Sequence, residues 1–346
     1  MTSIAHKRTE AKEEAVSWAG EEERAFLALA SIKGIGHKTL YAIADAGQSF
    51  ANIFYIQETH HVVNLLRNFG SRIDGSLGSS WQVVREQASE RAARLIEVFS
   101  EQNTVLIFRK HTAFPNAFHD LTNPPHWLFV RGNLDALARP ALAIVGTREP
   151  SEDGQFLARY VGACLAYWGA ATISGLASGI DQLVHEYSLR FNVPTIAALG
   201  TGILSDYPRG AIDLKERIVA KGGAIITEYL PRETYSAQNF VMRNRLQAAF
   251  GRVLIPVEWN AKSGTAHTVR FAAGLQRPIA YLRMPDWDKA RLPVATQNGT
   301  QIARLFTIPG DEVDFKQFVH CAISLKTQES RSDIGDSPQL SLFEKQ

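Results

Sequence analysis

Sulfur is scarce in this chain, with two cysteines and three methionines among 346 residues. Cys164 and Cys321 stand alone, without the paired spacing of a zinc site or a small disulfide scaffold, so neither kind of staple is expected. Long apolar runs are missing as well. Nowhere do about 18 apolar residues follow one another, and the first twenty residues, rich in Glu, Lys and Ala, lack the apolar core of a signal peptide. A cytoplasmic protein without membrane contact is the expectation. Charge of one sign is not in surplus either: 37 Lys and Arg against 35 Asp and Glu leave a formal +2. Nucleic-acid binding therefore needs a local patch and cannot rest on bulk basicity. The ten histidines are scattered, and none stands in a Gly-x-Ser-x-Gly, His-Glu-x-x-His or Walker context. No enzyme activity, cofactor or resident metal is expected.

What is present is ample apolar sequence, 45% against 21% charged, enough to fill the cores of two or three domains. Residues 1–20 are polar and read as a flexible N-terminus. Residues 21–100 read as a small all-helical domain, with one helix running through Phe26 to Ala30. Lys33-Gly34-Ile35-Gly36-His37 is a glycine turn entering a second helix, as in a helix-hairpin-helix, where such amides hold one phosphate; the same turn also joins helices in many small bundles. Apolar residues at three- and four-residue spacing predict helices over 61–69 and 82–100, separated by a Gly/Ser-rich loop.

From Thr104 the pattern becomes short apolar runs alternating with helical stretches. Strands are expected at 104–108, 127–130, 141–145, 171–174, 195–199, 223–227, 252–257 and 278–282, with helices of ten or more residues between most of them. That alternation predicts parallel βαβ units and a doubly wound, mostly parallel Rossmann-like α/β sheet over residues 101–310. Residues 285–325 have no periodicity strong enough to assign. Residues 326–346 read as a disordered tail.

Several of these strands end in glycine-bearing turns, which in an open parallel sheet offer backbone N–H groups to phosphates. Gly146, Thr147 and Arg148 follow one strand, and Arg148 can make paired hydrogen bonds to a phosphate. Ser174, Gly175, Ser178 and Gly179 lead into a helix, with Asp181 expected to hold the loop by accepting amide hydrogen bonds and His185 as its local partner. Gly200, Thr201 and Gly202 end a third strand. Lys262, Ser263, Gly264 and Thr265 open another helix. Asn239, Phe240, Arg243 and Arg245 combine a ring for base stacking with guanidiniums for phosphates. Residues 243 and 245 lie about 200° apart on a helix, so periodicity alone supports only one of the two arginines as a ligand contact.

Taken in order, Leu128-Phe129-Val130-Arg131-Gly132-Asn133, Ile144-Val145-Gly146-Thr147-Arg148, Ser174-Gly175-Leu176-Ala177-Ser178-Gly179-Ile180-Asp181, Leu199-Gly200-Thr201-Gly202, Tyr207-Pro208 and Asn239-Phe240-x-x-Arg243-Asn244-Arg245 resemble the DNA-processing protein DprA (Smf) family over about residues 101–283. The resemblance implies an extended Rossmann-like domain that binds single-stranded DNA, forms a homodimer and helps load a RecA-type recombinase in natural transformation, without catalytic turnover. It also implies that the loops at Arg148, Gly175, Gly179 and Gly200 to Gly202, with Phe240, Arg243 and Arg245, contact DNA. The helical N-terminal part is similar in kind to the sterile-alpha-motif-like or helix-hairpin-helix domains that precede this core in relatives. Where the family often has proline after the Asn-Phe pair, this chain has Val241.

Two other readings stand beside this one. A nucleotide-sensing or nucleotide-processing protein related to phosphoribohydrolases would carry a Pro-Gly-Gly-x-Gly-Thr turn followed by glutamate, which Ser263-Gly264-Thr265-Ala266-His267 lacks. An adaptor in defence against foreign DNA would use the same core with another partner. In the tail, Gln339, Leu340, Leu342 and Phe343 resemble the peptide with which bacterial replication and repair proteins dock onto the sliding clamp, three apolar anchors and one amide suiting a preformed groove.

Overall fold

The computed structural model describes residues 19–73, 81–287 and 302–324. The expected flexible N-terminus up to residue 18, and the tail with its Gln339, Leu340, Leu342 and Phe343 anchors, lie outside the described residues.

Five helices come first: α1 (Glu21–Ala30), α2 (His37–Asp45), α3 (Phe50–Phe54), α4 (Thr59–Asn68) and α5 (Trp81–Glu101). In α1 the five consecutive residues Ala25 to Leu29 are all buried, so this helix is packed on every side rather than along one stripe. Part of that packing comes from the sheet. The Phe26 ring lies 5.0 Å from that of Phe50 and 4.8 Å from that of Trp127, and one apolar core joins the helices to Leu106, Trp127, Phe129 and Ile225. Polar ties cross the same boundary, since the Tyr41 hydroxyl donates to the Pro124 carbonyl at 2.9 Å.

The rest is an α/β unit built on a nine-stranded, mostly parallel sheet. Its strands are β1 (Thr104–Phe108), β2 (Trp127–Gly132), β3 (Ala141–Val145), β4 (Ala171–Ser174), β5 (Thr195–Ala198), β6 (Ala224–Thr227), β7 (Gly251–Pro256), β8 (Ile279–Arg283) and β9 (Ala303–Thr307). The spatial order is β1-β2-β6-β5-β4-β3-β7-β8-β9, antiparallel only where β2 meets β1 and β6. Every residue of β3 to β6 is buried, as expected of central strands covered on both faces. One face packs α6 (Glu152–Trp168), α7 (Ile180–Arg190) and α11 (Glu312–Ser324) through Leu157, Val184 and Phe315. The other packs α9 (Ala237–Phe250) and α10 (Gly264–Gly274) through Leu246 and Val269. The remaining helix, α8 (Ile212–Ala220), joins the core shared with α1 through Leu214 and Ile218.

Two elements have no clear sequence signal. Strand β9 is an edge strand with only Phe306 of its five residues buried, so it has no alternating pattern to read. Helix α11 buries Phe315, Val319 and Ala322 against β7 and α6, and extends the α/β unit to Ser324. Chain order reverses direction at β3, which lies between β4 and β7. In open sheets of this kind, ligands gather at the carboxyl ends of the strands beside that switch.

Candidate nucleic-acid interface

The turns at the carboxyl ends of β3 to β6 form a crest, and the Thr147, Gly175 and Gly202 amides are committed inside the protein. The Thr147 N–H donates to the Glu258 carbonyl at 2.7 Å. The Glu258 carboxylate accepts from the Ser151 N–H at 2.9 Å and from the Ser151 hydroxyl at 2.8 Å. Ser151 is the N-cap of α6, so a carboxylate of the protein's own occupies the place where a phosphate would sit at that helix start. In the next turn a carboxylate again holds a backbone amide, here in the loop before the helix. Asp181 accepts from the Gly175 N–H at 3.1 Å, as its position at the start of α7 predicts. Burial raises the Asp181 carboxyl, while the Arg243 guanidinium and the Ser174, Gly175 and Ala177 donors pull it back down. Gly179 has φ +83°, and a Cβ there would lie 2.4 Å from the Thr147 carbonyl oxygen, so only glycine joins these two turns without strain.

Beside these turns the crest presents side chains. Arg148 is exposed, with its guanidinium carbon 5.6 Å from the centre of the Phe240 ring. Phe240 lies directly over Gly200, where an added Cβ would meet the ring at 2.5 Å. Around Phe240 stand Tyr207, its ring centre 5.5 Å away, and Tyr235, 6.3 Å away and stacked within 16° of parallel. Tyr207 and Tyr235 are themselves 4.8 Å apart. Tyr235 is 61% exposed, an open π-face next to the Phe240 ring that Arg148 covers. Lys215, buried on α8, fixes the Tyr207 loop by donating to the Ser205 and Tyr207 carbonyls at 2.9 and 2.8 Å. Burial pushes its ammonium down to about 8.

The remaining candidates fall below or beside this surface. Ser174 is buried and donates to the Ile144 carbonyl at 2.7 Å. Thr201 is buried in the turn between Gly200 and Gly202, whose N–H donates to the Glu233 carbonyl at 2.9 Å. Ser178 is exposed. The Asn239 amide donates to Glu233 at 3.0 Å and so braces the loop carrying Tyr235. Lys262 is exposed, the Ser263 hydroxyl donates to the Asn260 carbonyl, the Gly264 carbonyl accepts from Asn244, and the Thr265 hydroxyl donates to the Gly146 carbonyl at 2.9 Å. That last bond sets the start of α10 beside the β3 turn.

Arg243 and Arg245 are not where a strand contact needs them. Both sit inside α9, which begins at Ala237, and each is only 4% exposed. Arg243 points under the crest and donates to the Gly175 and Ala198 carbonyls. Arg245 points the opposite way, bidentate to Glu228 with one bond at 2.7 Å, and also donates to the Asn123 carbonyl. Burial without an acceptor is costly for a guanidinium, so these partners hold both side chains in place. The expected Asp181–His185 pairing is absent too: His185 Nδ1 meets the Thr195 hydroxyl at 2.7 Å. Sequence reasoning does not reach Tyr235 or Lys215. For Tyr235 the signal is one aromatic in an otherwise polar stretch, and Lys215 reads as one more charge on a solvated helix.

His185 gives the layer under the crest a pH signature. It is fully buried, and burial aided by the Arg243 charge pushes it down to about 3 from an ordinary 6.5. The unfolded chain then binds a proton that the folded chain refuses, so stability falls as pH drops from about 6.5 toward 3, by about 2 kcal/mol at pH 5. Urea midpoints at pH 7 and pH 5 check this, with His185→Asn expected to flatten the difference.

A doubly wound sheet with an exposed guanidinium–aromatic crest at its carboxyl edge, preceded by a helical part sharing its core, defines a Rossmann-like α/β protein of the extended kind. The chain belongs to the DNA recombination-mediator protein A family, whose sequence model matches residues 105–303. It is 28% identical over 277 residues to the protein Smf of Synechocystis, covering 79% of this chain and 67% of that protein. It is 34% identical over 234 residues to the putative DNA processing protein DprA of Mycobacterium tuberculosis, covering 66% of this chain and 59% of that protein. Among solved structures, DNA processing protein A from Streptococcus pneumoniae shares the fold with a TM-score of 0.55 at 23% identity, over 78% of this chain and 89% of the other. The Helicobacter pylori protein, solved for its single-stranded DNA binding mode, superposes with a TM-score of 0.50 at 24% identity, over 63% and 94%. No described helix is long and apolar enough to cross a membrane.

Proposed function

We propose that the chain holds single-stranded DNA on this crest, without chemical turnover, and delivers it to a RecA-type recombinase as a mediator of recombination in natural transformation. The observation that carries the reading is the pairing of Arg148 and Phe240 beside the open Tyr235 ring. Stacking a base on such a ring contributes about 1–3 kcal/mol whatever the base, and a guanidinium alongside neutralises the neighbouring phosphate. The filled start of α6 argues the same way. A mononucleotide relies on open amides for its phosphates, and at the start of α6 Glu258 already takes that place. This weighs against the nucleotide-processing reading. Asp181 and His185, which lie under the crest, are buried and bonded to Gly175 and Thr195. A homodimer, which the family resemblance implies, and docking of the tail onto a sliding clamp, which the likeness of Gln339, Leu340, Leu342 and Phe343 to the clamp-binding peptide implies, complete the proposal.

Titration of labelled oligothymidine, the matching duplex and mononucleotides at several salt concentrations tests it. The single strand is expected to bind best, with log K falling linearly against log salt by about 0.7 per phosphate engaged. Tight mononucleotide binding with no oligonucleotide binding would replace this reading by nucleotide sensing.

A further inference from the structure

Between the helical part and the crest lies a cleft of about 1670 Å³, beyond the roughly 300–1,000 Å³ of a small-molecule site. We propose that it takes a second, contiguous stretch of the strand held on the crest; the inference rests on the single-strand reading above. Three observations carry it: shared walls, unbalanced charge and an open helix start.

The walls come first. Residues 230–233 and the first turns of α9 line the cleft, and the same segment carries Tyr235 and Phe240 toward the crest. It is clamped from the crest side at Gly202, where a Cβ would come within 2.1 Å of the Leu230 carbonyl oxygen. A strand continuing beyond Tyr235 meets Arg232, which is exposed and lines the cleft. The crest and the cleft are thus two sides of one short segment.

Charge comes second. The acidic residues of the lining are Asp45, Glu228 and Glu233, and each has a partner. Glu228 pairs with Arg245, Glu233 accepts from the Leu230 N–H and the Asn239 amide, and Asp45 lies 3.5 Å from His126. Lys38, Arg72 and Arg232 line the cleft, are exposed, and make no ion pair among the described residues. Glu233 meets only neutral donors and burial lowers His126, so Glu233 and Asp45 keep their charge; Lys38, Arg72 and Arg232 still outnumber them, and cations stand on both walls, as a phosphate backbone requires. Tyr41 and Met242 supply apolar surface for bases between them.

The third observation is the start of α2. Gly36 caps it with no side-chain bond, and its first turn holds no acid, unlike α6, whose start is filled by Glu258, and α7, whose first turn holds Asp181. In that first turn the His37 Nε2 atom is buried without a hydrogen-bond partner among the described residues. The Gly34-Ile35-Gly36 turn thus lines the cleft with an uncapped helix start; its Ile35 N–H donates to the Ile32 carbonyl, and the start of α2 itself is left for an anion.

The test compares the full chain with a Lys38→Glu/Arg72→Glu/Arg232→Glu variant, all three sites being exposed, using anisotropy of oligothymidines of increasing length. Short strands that fill only the crest are expected to bind both proteins alike. Long strands should bind the variant at least tenfold more weakly, with the salt slope reduced by about 0.7 for each phosphate the variant no longer engages. A long oligonucleotide bearing 5-iododeoxyuridine should also cross-link to Tyr41 in the unaltered chain. Equal affinities and slopes for long strands overturn the proposal, as they would if the cleft served an acidic peptide instead. If the unaltered chain binds short and long strands with the same affinity, the cleft proposal alone falls. If it binds no strand of any length, the crest reading falls with it.

Discussion

Replacing Phe240 with alanine is expected to weaken binding of a short oligothymidine about 5- to 150-fold, the range set by losing one base-stacking platform of about 1–3 kcal/mol. The ring is central to the crest: it touches Tyr207 and Tyr235, lies over Gly200 and sits under the Arg148 guanidinium. Its removal takes away both the stacking surface and the support that holds Arg148 over it. Phe240 carries no charge, so the salt slope should change little. Arg148→Ala should instead lower the slope by about 0.7, the share of one phosphate on a single strand. The two variants therefore separate stacking from neutralisation in the same anisotropy titration. Phe240 is only partly buried and packs at the surface, so the fold survives its loss and thermal unfolding serves as the control. Unchanged oligonucleotide affinity in a folded Phe240→Ala protein would remove the crest from the binding site.

The parallel sheet is legible in the sequence because β3 to β6 are buried on both faces and therefore appear as unbroken apolar runs, bounded by glycine turns. Arg148 and Phe240 are legible for a related reason: a residue just past a strand end, or in a polar helix start, is placed by local sequence alone. Partners are another matter. Ser151 and Glu258 are 107 positions apart, and nothing local says that this carboxylate fills the helix start that the Gly146 turn offers a phosphate on paper. Arginine at 243 and 245 reads as phosphate chemistry because guanidinium chemistry is the same for a phosphate, a carboxylate or a carbonyl. Only the fold shows that Arg243 reaches Gly175 and Ala198, and that Arg245 reaches Glu228. The 200° separation read from sequence is correct, and it sends the two side chains to opposite buried sites. Tyr235 escapes a sequence reading because exposure cannot be inferred from one aromatic in a loop.

The Arg245–Glu228 pair gives the second large effect. Arg245→Met is expected to destabilise the protein by about 3–5 kcal/mol, because it leaves a buried carboxylate with no counter-charge. Each side chain of the pair is only 5% exposed, so water cannot take the place of the guanidinium. The damage should also be local to function. Glu228 follows β6 at the root of the loop that carries Tyr235, and its carbonyl accepts from the Trp127 indole at 2.8 Å. Arg245 also ties the Asn123 carbonyl to α9 at 3.1 Å. One guanidinium thus joins the base of the crest to the segment that leads into β2, the strand on which the helical part packs. Urea denaturation gives the stability change, and Glu228→Gln/Arg245→Met is the informative partner: with the unpaired charge gone, most of the stability should return, since replacing both members of a buried pair costs far less than removing one. If the double variant is as unstable as Arg245→Met alone, the guanidinium acts through its bonds to carbonyls and not by neutralising Glu228. If Arg245→Met is as stable as the unaltered chain but binds DNA more weakly, Arg245 is a strand contact after all, and its burial against Glu228 describes only the unbound protein.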